Sequence, residues 1–167
     1  GDNDVLSLSV DRSGIIWAGS HLGAGITKIQ INNSKFQTIK HESGNKNSLN
    51  DNVVWSVYKD NENILWVGTY KGGLNRIDLN KNIFTYILKT QNKNPISSNH
   101  IRVIKEDSYG NLWVGTYDGG LNIINKTNYN VSIYKHNPLD RKSLSGNQVQ
   151  DILFESDSVY WIATFGG

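Results

Sequence analysis

The sequence has 167 residues, 37% hydrophobic and 19% charged, which is enough chain and enough apolar material for a globular core rather than a disordered segment. Its formal net charge is +2, and 17 Lys and Arg lie scattered among 15 Asp and Glu, so neither nucleic acid nor a membrane surface is implied as a partner. Cys is absent, which excludes disulfides and thiolate metal sites, and no stretch approaches the ~18 consecutive apolar residues of a membrane span or the apolar region of a leader peptide.

The predicted elements are all strands, and they recur. A first unit, residues 1–41, contains the line Asp11-Arg-Ser-Gly-Ile-Ile-Trp17-Ala-Gly, a glycine-bearing turn at Leu22-Gly23-Ala24-Gly25, and a strand marked by an aromatic at Phe36–Ile39. A polar loop with Ser48-Leu-Asn-Asp-Asn52 leads to a second unit, 50–90. Its predicted strands are Val53–Lys59, Leu65–Thr69, Leu74–Leu79 and Phe84–Ile87, with Asp60 and Trp66 in register with Asp11 and Trp17, and a Lys71-Gly-Gly-Leu74 turn. The third unit, 98–136, repeats the plan with strands at Ile101–Glu106, Leu112–Thr116, Leu121–Asn125 and Tyr129–Tyr134, an Asp107-to-Trp113 turn and an Asp118-Gly-Gly-Leu121 turn. The fourth, 147–167, has strands at Val149–Phe154 and Tyr160–Thr164, with Glu155 in the Asp position, Trp161 in the Trp position, and a closing Phe165-Gly-Gly167. Self-similarity of this length marks propellers and other arrays.

Trp17, Trp66, Trp113 and Trp161 are spaced 49, 47 and 48 residues apart. The Asp that opens each hairpin turn is expected to accept from backbone N–H groups two residues on, and Gly14, Asn63 and Gly110 fall where a bulged type I turn needs a left-handed residue. Four antiparallel strands per unit is the make-up of a propeller blade, so the expected fold is all-β, about three and a half blades of an incomplete β-propeller. Blades pack face to face, so the Trp residues read as packing between them. The glycine that follows two residues later, Gly19, Gly68 or Gly115, reads as a place of close backbone approach.

The run Glu106-Asp-Ser-Tyr-Gly-Asn-Leu-Trp-Val-Gly-Thr-Tyr-Asp-Gly-Gly-Leu-Asn122, echoed at Leu65-Trp-Val-Gly-Thr-Tyr-Lys-Gly-Gly-Leu-Asn-Arg-Ile-Asp78, resembles the two-component regulator propeller repeat. The resemblance implies the periplasmic sensor region of a hybrid histidine kinase of the kind found in gut Bacteroidetes. Such a region detects glycan fragments and signals to a kinase outside this chain. It implies no enzymatic activity and no cofactor. A protein-interaction scaffold is the alternative, and a sialidase-like glycoside hydrolase a further one, because the Asp-to-Trp turn is similar to the Asp box. However, that spacing is one residue too long here, and Arg12, Arg76, Arg102 and Arg141 form no evident cluster for a substrate carboxylate. The four His residues lack metal-ligand spacing, so no catalytic or metal residue is assigned.

Positions constant between repeats build blades, whereas positions that change at one register are free to meet a ligand. Eleven residues before each Trp stand Leu6, Trp55, Arg102 and Gln150, which are chemically unrelated. The loop between second and third strands carries His21, Tyr70 with Lys71, Tyr117 with Asp118, and Phe165. Aromatic faces beside polar groups suit sugars, so Trp55, Arg102, Gln150, His21, Tyr70, Lys71, Tyr117 and Asp118 are the candidate ligand-binding residues, and an oligosaccharide is the expected partner. The half blade and the first blade would leave apolar faces uncovered, so self-association is also expected.

Overall fold

Each predicted hairpin register closes a sheet of consecutive strands. The computed structural model describes residues 4–21, 25–30, 35–90 and 93–166. The glycine turn expected at 22–24 and the final glycine at 167 lie outside these. Strands β1 (Val5–Val10), β2 (Ile16–Ser20), β3 (Ile26–Gln30) and β4 (Lys35–Ile39) form the first sheet. The second contains β5 (Val54–Lys59), β6 (Ile64–Thr69), β7 (Leu74–Asp78) and β8 (Ile83–Ile87). The third contains β9 (Ile101–Glu106), β10 (Asn111–Thr116), β11 (Leu121–Asn125) and β12 (Val131–Tyr134). Strands β13 (Gln148–Phe154) and β14 (Tyr160–Phe165) pair as a fourth, two-stranded sheet. All pairings are antiparallel between chain neighbours, no helix occurs among the described residues, and the four sheets are propeller blades.

One expected strand begins late. Tyr129 does not open β12; it sits at φ 60, with its N–H bonded to the Asn125 carbonyl, and the strand starts at Val131. An Asn-Lys-Thr-Asn segment turns the chain there through side-chain bonds from Asn125 to the amides of Thr127 and Asn128, and this local chemistry overrides the β preference of the aromatic.

The core lies between blades rather than within them. Trp17 joins Ile26, Leu49, Val54 and Leu65 across the first junction, Trp66 joins Ile101, Ile104 and Leu112 across the second, and Trp113 joins Val149 and Ile152 across the third. Every residue of β6 is buried on account of neighbours on both sides. Outer strands β8 and β12 are partly exposed, so burial of both faces holds for the middle strands and fails at the rim. Trp161, with no further blade packed on it among the described residues, is 61% exposed, against 1% for Trp66.

The glycine two residues past Trp17, Trp66 and Trp113 sets the junction spacing. A Cβ at Gly19 would lie 2.6 Å from Val54 Cγ1, at Gly68 2.5 Å from Ile101 Cγ2, and at Gly115 2.6 Å from Val149 Cγ1. Only a bare backbone accepts a β-branched side chain of the next blade at that range.

The Asp of each hairpin turn does more than the sequence implies. Asp11, Asp60 and Asp107 each accept from the amides two and four residues on, and each also accepts from the indole N–H of its own blade's Trp, at 3.2, 2.9 and 2.8 Å. The six-residue spacing of Asp and Trp is thus the span of one turn plus one indole hydrogen bond. Gly14, Asn63 and Gly110 all have positive φ, as the bulged turn requires. In the fourth blade Glu155 keeps the indole bond, and the Ser156 hydroxyl takes over the amides of Ser158 and Val159.

Cations then tie neighbouring blades together. Lys59 of the second blade reaches Asp11 of the first at 3.4 Å, and Lys126 of the third reaches Asp60 of the second at 3.2 Å while holding Glu106 at 2.6 Å. Burial alone would push the Asp11 carboxyl up, but bonds from the Ser13 hydroxyl, the Trp17 indole and the amides of Ile15 and Ser13 outweigh it and hold the pKa at about 2, below the ordinary 3.8. A carboxyl depressed in the fold stabilises it fully above its unfolded pKa, and that contribution is lost as pH falls through the folded value. Asp11 should therefore contribute about 2 kcal/mol at neutral pH, lost between about pH 4 and pH 2. Urea unfolding across that range should show the decline in the wild-type protein and a shallower one in Asp11→Asn; parallel curves would remove Asp11 as its source.

Candidate ligand-binding site

The first strands of the blades, β1, β5, β9 and β13, lie side by side around the axis. Each pairs with its second strand through a register shift at one residue. The shift falls between Val5 and Ser7, between Val54 and Ser56, at Arg102, whose flanking Ile101 and Val103 pair with Thr116 and Gly115, and between Val149 and Asp151. The extra residues are Leu6, Trp55, Arg102 and Gln150. These are the four chemically unrelated residues that stand at one register of the repeats. A β-bulge frees a residue from the ladder and re-aims its side chain. Here it does so four times toward one place: Leu6, Trp55, Arg102 and Gln150, with His21, line a single cavity of about 420 Å³.

The second-to-third-strand loops are pinned beside these bulges. The amides of His21, Tyr70 and Tyr117 donate to the carbonyls of Asp4, Val53 and His100 at 3.0, 2.9 and 2.9 Å, so the first residue after each second strand stands next to the bulge of its own blade. Tyr70 packs on Trp55 at a ring distance of 4.8 Å and Tyr117 at 5.8 Å, which makes an aromatic rim across two blades. The Arg102 guanidinium lies over the Trp55 ring, 5.4 Å from its centroid.

Not every candidate faces the cavity. Tyr70 and Tyr117 stand at the rim against Trp55, Lys71 turns its ammonium onto the Tyr70 ring at 5.2 Å, and Asp118 lies 3.6 Å from His100 Nδ1, so these four candidates stand outside the lining. Sequence reasoning missed His100, which stacks on Tyr70 at 5.0 Å and meets Tyr117 edge-on at 6.5 Å. Its signal was available two residues before each bulge residue, where Asp4, Val53, His100 and Gln148 are also chemically unrelated.

The return loops on the same face are framework. Asn52, Asn99 and Asn147 accept from the amides of His41, Lys89 and His136 through their side chains and from Gly25, Gly73 and Gly120 through their carbonyls. Asn75 and Asn122, both fully buried, accept from the amides of Asn50 and Ser97 at 2.8 Å. Variation at the mouth is therefore concentrated in the bulges and the residues beside them.

Residues 48–71 and 95–118 match the family model described as the two component regulator propeller. The chain carries two-component regulator propeller repeats. Each match runs from the end of a return loop through the bulge and the Asp turn to the second strand, so it contains Trp55 or Arg102. Among solved structures, this regulator propeller is similar to the extracellular domain of a protein assigned as a hybrid two-component system of B. thetaiotaomicron, with TM-score 0.82 and 21% identity over 98% of this chain. It is also similar to the extracellular domain of a protein of that organism assigned as a one component system, with TM-score 0.75 and 25% identity over 98% of this chain. The chain spans 22% of the length of each. The virginiamycin B lyase of Staphylococcus aureus, 17% identical over 97% of this chain and 49% of its own, shares the fold with TM-score 0.69. No curated relative matches the chain. Among the described residues of the regulator propeller no helix is long and apolar enough to cross a membrane, and no group of three or more His, Asp and Glu is placed to hold a metal ion.

Proposed function

We propose that this regulator propeller is a periplasmic recognition domain that binds glycan fragments at the bulge cavity, and that occupancy is relayed to a kinase outside this chain. The observation that carries the reading is the convergence of the four unrepeated bulge residues on one cavity whose rim is aromatic. Architecture explains the repeated residues, and it leaves these four unexplained. Trp55, Tyr70 and Tyr117 offer the flat apolar faces on which a pyranose ring stacks, and Arg102, Gln150 and His21 offer hydrogen bonds to its hydroxyls. The likeness to extracellular domains of two-component systems supports the compartment and the signalling role.

Calorimetric titration of oligosaccharides into the protein tests the site. Trp55→Ala should weaken binding at least about tenfold through loss of a stacking face, while the melting temperature stays within a few degrees because Trp55 is only half-buried. Unchanged affinity in Trp55→Ala and in Arg102→Ala would move the site elsewhere.

A further inference from the structure

Arg102 brings a full positive charge to the lining of the cavity. Lys59 and Lys126 find carboxylates across blade junctions, and Lys105 finds Asp151 at 2.8 Å. No carboxylate among the described residues pairs with Arg102, and its guanidinium lies over the face of Trp55. The described lining of the cavity contains no acidic residue. Three carboxylates of the strands and loops around the lining have partners elsewhere. Asp51 accepts from the amides of Val53 and Lys71, Asp118 lies against His100, and Asp151, beside Gln150 in its bulge, turns to Lys105. The mouth thus presents a half-buried guanidinium over an indole ring, with no counter-charge among the described residues.

From this we infer that the ligand of the bulge cavity is an acidic saccharide, whose carboxylate or sulfate is taken by Arg102 while its ring stacks on the aromatic rim. The inference rests on the glycan reading of the site and narrows it. A neutral sugar seated over Arg102 would strip water from a full charge and return only hydroxyl oxygens, a poor exchange for a desolvated ion. An oxyanion returns two parallel charge-assisted bonds in the planar geometry that a guanidinium presents. Contact with the Trp55 ring restricts that fork before a ligand arrives, so less side-chain freedom remains to be lost on binding. Gln150 and His21 complete the lining with groups that bond hydroxyls of either kind of sugar.

The test is titration calorimetry with four probes, an oligogalacturonate, a glucuronoxylan fragment, and chondroitin sulfate and heparin tetrasaccharides, each beside its carboxyl-reduced or desulfated counterpart. At least one acidic probe should bind about ten- to a hundredfold more tightly than its neutral counterpart, the span expected for a charge-assisted bond. That affinity should fall as salt rises, as for any partly exposed ion pair. Arg102→Gln should erase the difference with the melting temperature preserved, and Arg102→Lys should restore part of it. If neutral counterparts bind as well as acidic probes, or if Arg102→Gln leaves the preference intact, the acidic assignment fails and the glycan site survives. If neither acidic nor neutral probes bind, both readings fall together. Acidic probes that bind equally to the wild-type protein, Arg102→Gln and Trp55→Ala would place recognition outside the cavity and overturn the inference.

Discussion

Trp66→Ala should cost about 3–5 kcal/mol in chemical denaturation, because it empties the largest side chain from the junction of the second and third blades. Trp66 is 1% exposed and packs against Ile101, Ile104 and Leu112. Its removal leaves a cavity between two rigid sheets that cannot collapse, and it also orphans Asp60 Oδ2 from the indole N–H. Trp113→Ala, at 7% exposure, belongs in the same range. Trp161→Ala makes the contrast, since the same register position is 61% exposed there, and its loss should cost under about 1 kcal/mol. Equal effects at Trp66 and Trp161 would mean that the tryptophans act within their own blade rather than between blades.

A second large loss, about 3–5 kcal/mol, is expected for Asp60→Ala. Asp60 is 3% exposed and accepts from the amides of Glu62 and Ile64, from the Trp66 indole and from Lys126 of the next blade. Truncation therefore leaves two amides, an indole N–H and one side of a buried ammonium without an acceptor, and unmet buried donors are costly in a way that mere loss of attraction is not. Asp60→Asn keeps an acceptor and should lie between. Asp107→Ala should cost less than Asp60→Ala, for no cation among the described residues pairs with Asp107. The ranking is checked by urea denaturation of the three variants, and an Asp107→Ala loss equal to that of Asp60→Ala would show that the interblade ammonium adds nothing.

The blade plan was legible because it repeats. Asp, Trp and glycine recur at fixed intervals for reasons of turn geometry and close packing, and the residues that must adopt positive φ, Gly14, Asn63 and Gly110, stand where the turn demands them. Tyr129 was misplaced because an aromatic normally signals a strand, and only the Asn125 side chain, bonding locally, shows why it does not here. In the candidate site, comparison of repeats singles out Leu6, Trp55, Arg102 and Gln150, but nothing in a row of letters says that each occupies a bulge. A bulge depends on a one-residue mismatch between two strands, which is a property of the pair. The side chain of Asp118 illustrates the same limit: its register is readable, whereas the His100 ring that it meets lies on another strand.

Because every sheet is made of consecutive strands, no hydrogen-bonded ladder joins one blade to the next. Cooperativity passes through the return-loop hydrogen bonds and through the seams, where a bare glycine receives a Val or Ile and a lysine crosses to an aspartate. Such a chain behaves as a row of units coupled to nearest neighbours, so a lesion in one seam weakens the two blades that share it and reaches the others only in dilution. In the fourth blade the seam position is Ala163 rather than glycine, and its added methyl occupies the room that the other three seams give to a β-branched side chain. Any body laid against that face must bring a smaller side chain or stand farther off, and through that wider gap the coupling that holds the other blades in step would be weaker.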